Sequence, residues 1–142
     1  MSAFQFSRPV SRADFLKTIS QAFVVAYLPT WHRNGFPHPE PREGITAENV
    51  LSVEALGESA SKKVLEAYES ARTYPGVFDG LYCACRCSDG KQGHRSLLAC
   101  YESRQPTGCG GCQHEADMVG KLAKEEKTLA EIRLAVDKAY GR

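Results

Sequence analysis

No apolar run in the sequence is long enough to cross a bilayer. The longest, around Ile19–Leu28, is too short and too polar, so no integral membrane span is expected. Neither sign of charge is in surplus, with 18 Lys and Arg against 17 Asp and Glu and a net charge of +1. That removes the electrostatic footprint of a nucleic-acid binder, and with it nucleic acid as a partner. No alternating pattern marks a strand, and no internal repeat or low-complexity tract is present. No nucleophile with a base and an orienting acid stands out, which argues against hydrolytic catalysis and for a protein that is not an enzyme. The first 82 residues contain no cysteine at all. A disulfide framework in a small secreted domain usually ties distant segments together, and this distribution does not.

What is present is concentrated. All six cysteines fall within residues 83–112, as C-x-C-x-C (Cys83, Cys85, Cys87), then Cys100, then C-x-x-C (Cys109, Cys112). Such clustering points to a metal site or a local knot. In an extended or looped segment the triplet can present three sulfurs on one face, whereas in a helix positions i and i+2 point apart. Extended i,i+2 neighbours lie about 6.6 Å apart at Cα, near the limit for a disulfide, so pairing within the triplet is strained. The "CGGC" pair sits just before an expected helix. Free amides and the helix dipole there favour the thiolate, the form that binds metal or attacks disulfides. "CGGCQH" misses a c-type haem attachment site by one residue, because Gln113 separates Cys112 from His114.

Thiolates in this number select soft or borderline ions. Cu(I) accepts two or three thiolates and shares bridging sulfurs, which suits C-x-C spacing, so it is favoured. Zinc would use four ligands and leave two thiols over, and an iron–sulfur cluster would do the same. The expected ligands are Cys83, Cys85, Cys87, Cys100, Cys109 and Cys112, with His94 as an accessory and His114 as another candidate. Arg86 and Arg95 could offset thiolate charge. Storage, delivery or buffering of the ion would be the role. Three alternatives stay open. One is a disulfide-stapled interaction module in a larger extracytoplasmic assembly. Another is a structural zinc or iron–sulfur protein. The last is a thiol oxidoreductase using Cys109 and Cys112, although the strand–turn–helix setting of such motifs is missing.

The rest of the chain reads as helices and turns. Thr46 would cap a helix running to about Leu56 and closed by Gly57, and a second helix would run from about Ser59 to Thr73 until Pro75 ends it. "PGVFDG" reads as a turn. "HRSLLACYES" is a short helix carrying Cys100 and opened near His94. A helix follows over about Gln113–Lys124. Thr128 and Glu131 form a capping box for the last one, which Gly141 stops. The fold class expected is all-α, a small helical bundle with a cysteine-rich loop core. Its organisation would be a relic signal or N-terminal helix over 1–28, a Pro-rich arm over 29–45 and a helical cysteine-rich domain over 46–142. The arm, "PTWHRNGFPHPEPREG" with Trp31, His32, Phe36 and His38, would pack on its own domain or dock a protein partner or a second copy.

Two resemblances add to this. Residues 11–17, "SRADFLK", resemble a twin-arginine export signal, S-R-R-x-F-L-K, with Ala13 in place of the second arginine. The same stretch also reads as an amphipathic helix capped by Ser11. From about Ala60 to Arg142 the chain resembles the bacterial cysteine-rich proteins named for a P-C-Y-C-G-C motif. The likeness rests on "VLEAYESAR", "YPGVFDGL", the C-x-C-x-C triplet, "GHRSLLACYE", the C-x-x-C pair and "LAEIRLAVDKAYG". Within the signature Tyr82 replaces proline, Ala84 tyrosine and Arg86 glycine. Arginine is disfavoured in the left-handed backbone that glycine permits. The resemblance implies an extracytoplasmic or periplasmic home, with cytoplasmic retention as the consequence of a failed signal, and it implies no reaction.

Overall fold

The computed structural model of the protein describes residues 37–86 and 93–141. The expected signal or helix over 1–28, the part of the arm holding Trp31, His32 and Phe36, and Cys87 lie outside the described residues. Six α-helices and one 3-10 turn follow in order: α1 Val53–Leu56, α2 Lys62–Thr73, α3 Pro75–Asp79, α4 Leu97–Tyr101, the 3-10 turn Gln105–Gly108, α5 Gly110–Lys124 and α6 Leu129–Ala139. The described residues contain no strand, in keeping with the all-α expectation. No helix among them is long and apolar enough to cross a membrane.

Short polar side chains start most of these helices. Ser52, Ser61 and Ser96 each accept a backbone N–H from three residues on, at 3.2, 3.3 and 3.4 Å. Thr128 and Glu131 make the capping box expected for α6. Two expected elements differ. The helix from Thr46 is confined to Val53–Leu56, because the Leu51 N–H is taken by the Tyr101 carbonyl at 3.1 Å and the Leu51 carbonyl accepts from Arg72. Those tertiary bonds hold the preceding residues off the helix. "PGVFDG" is not a plain turn: Pro75 ends α2 and also occupies the first turn of α3, where its missing N–H costs nothing.

Buried residues recur at helical spacing. Val64, Ala67, Tyr68 and Ala71 line α2, and Cys112, Glu115, Ala116, Val119 and Gly120 line α5. The two helices pack against each other, and Gly120 lies close to Ser70. A Cβ there would lie 2.5 Å from Ser70 Oγ and 3.0 Å from Ser70 Cβ. Gly120→Ala gains about 1 kcal/mol in helix propensity but incurs about 1–3 kcal/mol of overpacking. We therefore expect a lower melting temperature, partly recovered in a Ser70→Ala background. A melting temperature raised by Gly120→Ala alone would show that the helices are not packed this closely.

The aromatic centre joins α2, α3 and α4. Tyr101 contacts Tyr68 and Phe78 edge-to-face, with ring centroids 4.9 and 5.8 Å away. The described end of the arm packs on this same body. The His38 Nδ1 accepts the Tyr82 N–H at 3.0 Å, and its Nε2 lies 3.2 Å from Asp137. Arg133 donates to the Pro39 and Gly80 carbonyls at 2.6 and 3.0 Å. Arg42 and Arg95 both pair with the buried Asp79 carboxylate, at 2.9 and 3.0 Å. Arg95 is thus engaged by Asp79 rather than by a cysteine.

Candidate metal centre

The first half of the site is a turn. Leu81, Tyr82 and Cys83 are buried after α3, and the Leu97 N–H bonds to the Leu81 carbonyl at 2.7 Å. The Arg86 N–H then reaches back to the Cys83 carbonyl at 3.0 Å, closing Cys83–Arg86 into a tight turn. Arg86 has φ +62°, the left-handed conformation that glycine adopts without cost. The turn, rather than an extended run, brings Cys83 Sγ and Cys85 Sγ to 2.9 Å.

The second half is the first turn of α5. Gly110 and Gly111 begin that helix before the expected start at Gln113, and Cys109 takes the capping position. This sets Cys112 in the first turn, fully buried, with its carbonyl fixed by the Tyr101 hydroxyl at 2.8 Å. Cys112 Sγ lies 3.0 Å from Cys85 Sγ and 3.8 Å from Cys83 Sγ. Cys83, Cys85 and Cys112 thus place three sulfurs within 4.8 Å of one another, a group that could hold a metal ion. Thiolates bound at about 2.3 Å around a tetrahedral ion sit roughly 3.8 Å apart. The Cys83–Cys112 pair already has this spacing. The other two need to spread by less than an ångström.

The remaining expected ligands divide. Cys109 borders the trio: burial acts to raise its pKa, but the amides of Cys112 and Gly111 and the thiols of Cys112 and Cys85 bring it below the ordinary thiol value. Cys100 is buried in α4, and its Sγ lies 3.0 Å from His94 Nδ1. It is also the largest side-chain influence on Cys83, which the surrounding thiols hold low, and on Cys112, which they hold high. His94 does not cap α4, since Ser96 does. His114 is not at the cluster: it is exposed, with Nδ1 3.1 Å from the Tyr140 hydroxyl. No disulfide joins any two of the five described cysteines.

One participant escapes a reading by motif. Glu115 is fully buried, and its Oε2 accepts the Ala84 N–H at 2.9 Å in the middle of the C-x-C turn. Its Oε1 has no hydrogen-bond partner among the described residues. Burial and the nearby Cys83 charge raise its pKa well above the carboxylate range. A sequence signal for it existed, because Glu115 lies three residues from Cys112 on the stripe continued by Ala116 and Val119. Glu115→Ala leaves the Ala84 N–H unpaired and should weaken metal binding by about 10–100-fold, the usual cost of losing a supporting hydrogen bond. Glu115→Gln keeps an acceptor there and should bind almost as wild type does. Competition with a chromophoric chelator measures both, and equal losses in the two variants would remove the positioning role.

No protein-family model matches the chain, and no curated protein or solved structure matches it either.

Proposed function

We propose that the protein binds Cu(I) through a multi-cysteine thiolate site, for storage, delivery or buffering, without being an enzyme. The observation that carries this is the convergence of Cys83, Cys85 and Cys112, three soft donors within 4.8 Å. Sulfur donors in a largely buried pocket favour a thiophilic ion over a hard one. Cys109 and Cys100 extend the donor set beyond the needs of one ion of low coordination number, which favours Cu(I) over a single closed zinc site. An extracytoplasmic location is part of the proposal. It is supported by the signal-like residues 11–17 and by the resemblance of residues 60–142 to exported cysteine-rich proteins.

The test is elemental analysis of protein purified anaerobically, with free thiols counted on the same sample. Copper, with thiols that react only after chelation, is the expected result. One zinc per chain would replace the proposal with a structural site, and iron with sulfide would replace it with a redox cluster. No metal and no reactive thiols would mean disulfides and would end the metal reading.

A further inference from the structure

Cys100 and His94 lie outside the three-sulfur group yet touch each other and border it. His94 Nδ1 is 3.0 Å from Cys100 Sγ. Donors on one ion at bond lengths of about 2.3 Å to sulfur and 2.0 Å to nitrogen are roughly 3.5 Å apart. The pair therefore brackets an ion after opening by about half an ångström. Cys100 comes from α4, packed beside the C-x-C turn, and interacts with the thiols of both Cys83 and Cys112. Those two sulfurs, 3.8 Å apart, are the wide edge of the first group. Cys85 meets both of these sulfurs, at 2.9 and 3.0 Å, and the Cys100 thiol interacts with both as well.

We propose that the centre is dinuclear, with a second soft ion held by Cys100 and His94 and sharing Cys83 and Cys112 with the first. The inference rests on the thiolate-site reading above. Charge supports it. One Cu(I) among the four thiolates of Cys83, Cys85, Cys100 and Cys112 leaves three negative charges in a largely buried place. A second Cu(I) brings this to two, and neutral His94 adds a donor without adding charge. Buried uncompensated charge is costly, so the second ion relieves the site that holds the first. Ligation through Nδ1 leaves the proton on Nε2. His94 is only half-buried, whereas Cys83 and Cys112 are fully buried. The second position is the outer one, and its ion exchanges first.

The test uses the full chain, reduced and anaerobic, titrated with Cu(I) against a chromophoric Cu(I) chelator. Wild type should retain one more Cu(I) per chain than His94→Gln. Copper K-edge absorption of the wild type should show an imidazole nitrogen in the shell and a short copper–copper path, both lost in the variant. Equal copper counts in the two proteins, with a sulfur-only shell and no copper–copper path, would overturn the second position while leaving the thiolate site standing. Failure of wild type to retain any Cu(I) would overturn the reading beneath both. The wild-type spectrum decides even where circular dichroism shows that His94→Gln is unfolded.

Discussion

Cys112→Ser will lower Cu(I) affinity by more than about 100-fold, beyond what losing a supporting hydrogen bond costs. Cys112 is the most connected donor. Its sulfur is 3.0 Å from Cys85 and 3.8 Å from Cys83, the Cys100 thiol acts on its titration, and it acts in turn on that of Cys109. Serine offers a hard hydroxyl that soft Cu(I) does not choose over thiolate. The variant should still fold, because a hydroxyl nearly matches the thiol in size and the buried stripe of α5 is otherwise intact. If Cu(I) is the ion held, adding it should raise the melting temperature of wild type through preferential binding to the folded chain, and that rise should vanish in Cys112→Ser. A variant that keeps its affinity and its metal-dependent stabilisation would remove Cys112 from the ligand set.

Cys83 and Cys85 were legible as a pair from spacing, because one local turn brings their sulfurs to 2.9 Å, whereas their meeting with Cys112 is tertiary. Thr128 with Glu131 was legible for the same reason, since a capping box is a contact within one turn. The features that sequence reading missed depend on distant partners. Nothing near Thr46 says that Leu51 will bond to Tyr101 and to Arg72, contacts that shorten α1. Gly110 and Gly111 are poor helix formers and invited a later start. Yet they lie in the first helical turn, where amides are unpaired in any helix and serve the Cys109 sulfur. Arg86 was the one substitution in the signature with a readable physical consequence, and the left-handed backbone is there with arginine in it. Asp79 was read as a turn residue. Only the folded structure surrounds it with Arg42, Arg95 and Ser96.

Asp79→Ala will destabilise the metal-free protein at neutral pH by about 3 kcal/mol, the low end for breaking a buried ion pair. The carboxylate is fully buried. It accepts the Arg42 N–H at 2.8 Å, the Arg42 guanidinium at 2.9 and 3.2 Å, and the Ser96 hydroxyl at 3.0 Å. The low end applies because the Arg42 and Arg95 side chains are 47% and 42% exposed and can rehydrate once released. Burial alone would raise the Asp79 pKa, but the hydrogen bonds from Arg42 and Ser96 bring it down to about 2 from 3.8. A folded-state pKa below the unfolded value means that the contribution is complete above about pH 4. It is lost as pH falls towards 2, where the folded carboxylate takes up its proton. Urea denaturation of wild type and variant across this range should therefore show a stability gap that closes on acidification. A gap that stays constant from pH 7 to pH 2 would mean that shape, not charge, makes Asp79 matter. The consequence reaches the candidate metal centre. Ser96, which caps α4 and donates to Asp79, stands between His94 and Cys100 in the chain. Loosening this anchor should loosen the outer donors first, so Asp79→Ala should lose the exchangeable Cu(I) while keeping the ion on Cys83, Cys85 and Cys112.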